Sequence, residues 1–351
     1  MKKEFLELYS DYLLSSFSYT TATGLSNLPD NQIGHDKITD FLAGSDFDSK
    51  DLWMPVKETV RSVESDDGVL IFDDTVEEKQ WTDENEIITW HHDHSKNRTV
   101  KGVNILNCLY HSKNVDIPVA YEIIHKPVLF SDPKTGRIRR KSKVTKNEML
   151  RDMLKICTAN HLKFRYVLTD NWFSSKENMC LIKSELSKDF IMAIKSNRTV
   201  ALSLEDKKNG HFVQVETLEL KEGTVQHVYM KDIDFPCLLC RQIFKNKDGS
   251  SGVLYLVSSD TGLTYDQITT AYQKRWNVEV FHKSLKSNAS LSKSPTRTVR
   301  TQSNHFFASV YSFFKLEKLK IKHNLNHFAL RAKLYVNAIK ASFQKLQELT
   351  A

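Results

Sequence analysis

Between Tyr272 and Lys286 the chain reads YQKRWNVEVFHKSLK, which sets Tyr272, Arg275, Glu279 and Lys286 at successive spacings of 3, 4 and 7 residues. Each spacing follows the helical repeat, so on one helix the four side chains share a stripe roughly 80° wide. A carboxylate flanked by two cations and a phenol on one face suits a metal ion beside phosphate groups. The same spacing also suits a solvated salt-bridge stripe, with Arg275 and Glu279 as an i,i+4 pair. Two aspartates elsewhere favour the chemical reading. Asp73 closes the apolar run Val69–Phe72 (VLIF), and Asp170 closes the run FRYVLT. A carboxylate ending a buried strand points into the mouth of a sheet, where a bound cation offsets its poor solvation. Taken singly, either aspartate also fits a turn or a helix cap. Together with Glu279 they supply three hard oxygen donors, a set suited to two Mg²⁺ or Mn²⁺ ions flanking a scissile phosphate.

These residues need a scaffold, and the apolar pattern supplies one. Residues 1 to about 66 carry helical periodicity in EFLELYSDYLL and DKITDFLAG. Three strands follow, at Val69–Phe72, roughly Val100–Tyr110 and Val115–Ile124, all rich in β-branched and apolar residues. A helix over Thr145–Asn160, a strand at Phe164–Thr169, a helix near Ser174–Leu186 and a strand at Phe190–Ile194 complete an α/β order. Over residues 198–260 four alternating runs, separated by KKNG, KEG and KDGSSG, read as a β-rich insertion. Thr264 and Gln267 then form a capping box opening a long helix to about Ser287, and two helices near 303–322 and 326–349 end the chain.

On these residues the chain resembles the Tyr-Arg-Glu-Lys signature of bacterial insertion-sequence transposases of the IS-four superfamily, a branch of the DDE transposases. All four signature positions match, and Trp276 and Phe281-His282-Lys283 around them are family-like. Phe72-Asp73-Asp74-Thr75 is similar to the family's first motif, an Asp two residues before Thr or Ser, and Leu168-Thr169-Asp170-Asn171 to the second. The separations of 97 residues (73 to 170) and 109 residues (170 to 279) leave room for the β insertion such enzymes carry before the glutamate. The likeness covers about residues 65–320. It implies an RNase H-like mixed-sheet catalytic core, with Asp73, Asp170 and Glu279 as ligands of two Mg²⁺ (or Mn²⁺). It also implies that Tyr272, Arg275 and Lys286 grip the phosphates of a transposon end. An aromatic residue of the insertion would stack a flipped base, for which Phe212, Tyr229, Phe235, Phe244 and Tyr255 are the candidates.

The expected division is a helical N-terminal DNA-binding or accessory domain (1–66) and a first part of the core (67–197). The β insertion (198–260), the catalytic glutamate helix (261–300) and a basic helical C-terminal region (301–351) follow. Residues 1–67 hold 6 Lys+Arg against 13 Asp+Glu, whereas residues 271–351 hold 15 against 3. A C-terminal fifth that basic calls for a polyanionic partner, and nucleic acid is the usual one. Seven cations (Lys134, Arg137, Arg139, Arg140, Lys141, Lys143 and Lys146) crowd thirteen residues beside a single acid, Asp132. With Pro133 and Gly136 they read as a phosphate-tracking loop, Arg139, Arg140 and Lys141 at its centre.

Other features are set aside. His91-His92-Asp93-His94 lacks a second cluster at zinc spacing, and is expected near the active site or on its rim. Cys237 and Cys240 sit in an apolar strand pattern where i and i+3 face opposite sides, which argues against a redox or zinc pair. Five scattered cysteines suit a reducing cytosol. No apolar run of membrane-spanning length is present, and acidic residues interrupt the N-terminus where a signal peptide would be apolar. The reading is of a cytoplasmic, nucleoid-associated, cut-and-paste transposase. It cleaves double-stranded DNA at terminal inverted repeats, joins the freed 3′-OH to target DNA, and acts as a homodimer. A nuclease that cuts without joining, and a DNA-binding protein that uses the fold without catalysis, are the rival readings.

Overall fold

A computed structural model describes residues 2–28, 33–93, 97–133, 135–245 and 248–350. Four helices open the chain: α1 (Lys2–Ser15), α2 (Ala22–Asn27), α3 (His35–Gly44) and α4 (Ser49–Val63). The strands β1 (Val69–Glu78), β2 (Ile88–Asp93), β3 (Arg98–Ser112) and β4 (Val115–Ile123) follow, then a ribbon of β5 (Val128–Ser131) and β6 (Ile138–Lys141). Next come α5 (Lys146–Ala159), β7 (Tyr166–Thr169), α6 (Lys176–Cys180, continued by a π-helical turn to Glu185) and β8 (Asp189–Ile194). Helix α5 starts where the sequence says: Thr145 and Glu148 cap it reciprocally, and Leu150, Met153, Leu154 and Cys157 bury one face.

The large sheet is mixed, as the α/β pattern requires. β1 pairs antiparallel with β3 and parallel with β7, and β7 pairs parallel with β8. β3 is long enough to carry two partners on its far edge, β4 along residues 105–112 and β2 along residues 98–103. Strand β2 is missing from the sequence reading because ITWHHD carries little apolar periodicity. Where β3 passes β1 at Gly102, a Cβ would collide with the Glu77 carbonyl, so that position takes glycine.

Over residues 198–260 the structure departs from four equal strands. It contains β9 (Thr199–Ala201), α7 (Leu204–Lys208), β10 (Val213–Gln214), β11 (Gln226–Met230), β12 (Cys237–Lys245) and β13 (Ser251–Ser258). The run HFVQVETLEL gives a two-residue strand and a 3₁₀ turn rather than a full strand. β13 pairs antiparallel with β8, so this segment widens the central sheet instead of standing apart from it.

Four helices close the chain: α8 (Tyr265–Gln273), α9 (Trp276–Ser287), α10 (Val299–His323) and α11 (His327–Thr350). The single long helix expected over Thr264–Ser287 is therefore two. The Thr264–Gln267 capping box opens α8 as expected. At Lys274 and Arg275 the bonds tighten to i→i−3, Arg275 N donating to the Tyr272 carbonyl at 2.9 Å. Neither proline nor glycine lies in the junction, so no sequence signal marks it.

One apolar core runs from Leu6 and Tyr9 of α1, through β1, β3, β7 and β8, to Phe306, Phe307 and Phe314 of α10. The Phe-rich stretch of α10, HFFASVYSFF, thus contributes Phe306, Phe307, Phe313 and Phe314 to the core. The two ends of the chain also meet electrostatically. Lys315 of α10 pairs with Glu7 at 2.9 Å and with Asp11, and Arg300 pairs with Asp46 at 3.4 Å. Part of the C-terminal positive charge thus has its partner inside the protein, a correction to the view that all of it awaits a polyanion. No helix among the described residues is long and apolar enough to cross a membrane.

Candidate functional site

The site sits where the parallel pairing of β1 and β7 stops. β7 is only four residues long, and its last residue, Thr169, lies opposite Phe72. Asp170 follows directly, and Asp73 is the next residue of β1. Asp73 is thus not the end of its strand, contrary to the sequence expectation. β1 continues to Glu78 beside β3, with Asp73 opposite Asn107. The acidic stretch DDTVEE stays extended because its charges find partners. Lys146 Nζ lies 2.7 Å from Asp74 Oδ2, and Arg98 lies 3.2 Å from Glu78.

Helix α9 brings Glu279 to the same place. Arg275 joins the two acids, its guanidinium 3.2 Å from Asp73 and 3.7 Å from Glu279. Tyr272 is buried beneath the carboxylates, where its hydroxyl donates to the Thr169 carbonyl at 3.2 Å. Its ring also lies under the Arg275 guanidinium at 5.9 Å. Lys286 donates to the Val76 carbonyl at 2.8 Å and lines the cleft. The break between α8 and α9 means that these four residues converge from two helices rather than along one stripe.

Crowding of acids shows in their proton affinity. Burial, then repulsion from Asp170, pushes the Asp73 carboxyl up to about 8, while Arg275 opposes the rise. Burial raises Asp170 as well, against the pull of the Trp172 backbone N–H, which donates to its Oδ1 at 3.0 Å. Asp74 stands apart: its Oδ2 accepts from both Lys146 and Asn104, the latter at 2.8 Å. A carboxylate that holds its proton near neutrality because burial, and then neighbouring acids, disfavour its charge is one that a divalent cation would relieve. Ligand atoms of Asp73, Glu279 and His282 lie within 4.8 Å of one another, so the donor set fits a small dication. Asp170 flanks Asp73 outside that group.

The cleft around these acids encloses about 660 Å³. Its walls include two half-exposed tryptophans, Trp90 and Trp172, and the cations Lys126, Lys146 and Lys283, in addition to the residues already named. A second hollow of about 630 Å³ continues from it through Trp90, His91, His92 and Lys126 to Arg137, Arg139 and Arg140. A third continues past Trp172 to Lys195 and Arg198. The sequence reading missed Trp90, Trp172, Lys126, Lys195 and Arg198. Each stands singly in its segment, and only the fold gathers them.

The basic run is a two-stranded ribbon rather than an irregular loop. β5 and β6 pair over Val128–Ser131 and Ile138–Lys141, and Gly136, at φ +67, closes the turn. Arg139 contacts Asp132 at 3.0 Å, Arg140 contacts Glu84 at 3.4 Å, and Lys141 lies over the Phe130 ring at 5.6 Å. Lys134 lies outside the described residues. So does His94 of the histidine cluster; its neighbours His91, His92 and Asp93 line the cleft. Among the described residues that cluster forms no metal group. His91 is pushed down to about 3 by burial and by Lys126 and Lys146, and bonds Thr89 at 2.8 Å. Cys237 and Cys240 are both buried in β12, and burial pushes each thiol up to about 12. Of the aromatics proposed to stack a base, Tyr255 borders a hollow that also includes Asn171, while Phe235 packs on Phe190 at 6.2 Å.

A trio of partly exposed carboxylates where strand pairing ends inside a mixed sheet, ringed by cations, belongs to enzymes that act on polyanions. The comparisons say which ones. The family model described as DDE superfamily endonuclease matches residues 1–211, and the one described as Transposase DDE domain matches residues 126–312. Each covers more than half of the chain, and between them the matched segments contain Asp73, Asp170 and Glu279. The protein belongs to the DDE superfamily of endonucleases and transposases, nuclease-type enzymes whose substrate is DNA. No curated protein matches the chain.

Proposed function

We propose that this protein is a cut-and-paste transposase of the IS-four type, built on an RNase H-like core and acting through Asp73, Asp170 and Glu279. The observation that carries the reading is the placement of Asp73 and Asp170 side by side where β1–β7 pairing ends, with Glu279 of α9 linked to Asp73 through Arg275. The strand order β4-β3-β1-β7-β8, in which β3 alone runs against the other four, supports the RNase H-like assignment.

Two Mg²⁺ or Mn²⁺ ions bound by these carboxylates would supply an activated water and stabilise the leaving oxygen in phosphodiester hydrolysis. The remaining work falls to the protein. Asp73 must yield its proton before it can serve as a ligand. Arg275 neutralises Asp73 and Glu279 and offers two-pronged contact to a phosphate. Lys286, Lys283 and Lys146 set the sign of the cleft and hold the backbone of the transposon end. Tyr272, whose hydroxyl is engaged by Thr169, acts through the position of the corner that presents Asp170. Arg139, Arg140 and Lys141 extend the track along double-stranded DNA, inverted repeat or target. The 3′-OH freed by hydrolysis then attacks target DNA, exchanging one phosphodiester for another with no outside energy source. The active assembly is a homodimer that pairs two ends in the cytoplasm, at the nucleoid.

The test is Glu279→Gln, which removes one anionic oxygen from a half-exposed helix surface. Nicking of a terminal-repeat duplex in Mg²⁺ should fall by more than about 100-fold while binding of the same duplex is retained. Normal nicking by the variant overturns the assignment. Nicking by the wild type without joining to a target duplex would make it a nuclease alone.

A further inference from the structure

The acids of the cleft are joined by a nitrogen donor. A ring nitrogen of His282 lies within 4.8 Å of carboxylate oxygens of both Asp73 and Glu279, the one such group of potential ligands among the described residues. His282 follows Glu279 by three positions on α9, so the two share a face of the helix, and it lines the cleft although only 5% of it is exposed.

One of its ring nitrogens also has a polar neighbour on β3. Nε2 lies 3.1 Å from the amide of Asn107, the cross-strand neighbour of Asp73. Asn107 is 1% exposed, and in this orientation its Oδ1 has no hydrogen-bond partner. A buried acceptor left without a donor costs about 1–3 kcal/mol. A half-turn of the amide exchanges oxygen and nitrogen, setting Oδ1 against Nε2 in return for the 3.4 Å bond of Nδ2 to the Ile105 carbonyl. Nε2–H then donates to Oδ1, and the lone pair of Nδ1, which makes no hydrogen bond among the described residues, is left for a cation. A metal-binding histidine ordinarily has its other ring N–H anchored on an oxygen in this way.

We propose that His282 is a metal ligand. The ion held between Asp73 and Glu279 is bound by a mixed oxygen and nitrogen set, and the ion between Asp73 and Asp170 by oxygen alone. This rests on the two-ion reading above and deepens it by making the two positions chemically unlike. Imidazole suits transition-metal dications, whereas Mg²⁺ favours oxygen. The Glu279 position therefore prefers Mn²⁺.

The experiment uses the full chain with Mn²⁺ as the only ligand. Bound and free Mn²⁺ are counted by electron paramagnetic resonance, and ¹⁴N coupling to the bound ion is read by electron spin-echo envelope modulation. The expected result is a ¹⁴N coupling in the wild type that changes when histidine is ¹⁵N-labelled, a measurement that needs no variant to fold. In His282→Gln the coupling should vanish, with Mn²⁺ affinity at that position falling on the order of 10- to 100-fold and Mg²⁺ affinity falling less. Bound Mn²⁺ without nitrogen coupling overturns the proposal and leaves the two-ion reading intact. A coupling that survives His282→Gln overturns it too. Failure of the wild type to bind Mn²⁺ at all overturns both.

Discussion

Replacing Asp73 with Asn should make the metal-free protein more stable while removing its activity, and the size of the gain follows from the proton affinity of the carboxyl. Each factor of ten in that affinity is worth about 1.4 kcal/mol. Below roughly pH 4 the group is protonated folded or unfolded, and its ionisation costs the fold nothing. From there to about 8 the unfolded chain gives up the proton and the folded protein keeps it, so stability declines as the pH rises. Above about 8 both states are ionised and the loss levels off. The full interval corresponds to about 6 kcal/mol, and allowing half of that for relaxation of the cleft leaves about 2–3 kcal/mol at pH 8. Asn is neutral and of the same shape, so Asp73→Asn should recover that amount, raising the unfolding midpoint by about 3–4 °C in a chain of this size.

Thermal unfolding in EDTA at pH 5 and pH 8 measures it. The gain should be large at pH 8 and less than about 1 kcal/mol at pH 5, where the folded wild type still holds its proton. Saturating Mn²⁺ should reverse the order, since a hundredfold excess over Kd adds about 2.7 kcal/mol to a protein that binds the ion and little to one that has lost a ligand. A variant less stable than the wild type at pH 8 in EDTA, or a gain equal at both pH values, would refute the reasoning.

Two further outcomes follow from the same geometry. Asp74→Asn should retain measurable nicking, because Asp74 serves Lys146 and Asn104 rather than the Asp73–Glu279 group; a rate as low as that of Asp73→Asn would show the two acids misassigned. Replacing Arg139, Arg140 and Lys141 with Gln should weaken binding to all duplex sequences alike and flatten the slope of log K against log salt by about 2–3, through lost counterion release. An unchanged slope would mean that the ribbon never touches phosphate.

The three proposed metal ligands each sit beside a local signal in the sequence. Asp170 follows an apolar strand, Glu279 lies at helical spacing from two cations, and Asp73 caps a run with no polar residue. What the runs concealed was how the acids are held. DDTVEE looks like loop because its polarity masks the alternation, yet β3 supplies hydrogen bonds along its whole length. Long-range pairing of this kind overrides local propensity. The His282–Asn107 contact spans 175 residues and leaves no local trace. Trp90 and Trp172 were invisible for the same reason: an exposed tryptophan is informative only once its neighbours are known. The ribbon of Arg139–Lys141 was read as loop because Pro133 and Gly136 mark its turn more loudly than four-residue strands mark its sides.

The meeting of the two ends of the chain has a consequence for how the protein is made. Tyr9 bonds His305 at 3.0 Å, and Phe47 stacks on Phe307 at 4.4 Å. The apolar faces of the first helices are thus covered by residues that leave the ribosome almost 300 positions later. At about 5–20 residues per second those faces wait some tens of seconds for their cover. For much of that interval a nascent chain carries Asp73 and Asp170 without Glu279, and for all of it the core stays open. The core therefore closes only once α10 has been made, after all three acids are in the chain, and a chain halted before α10 would be left with these apolar faces uncovered.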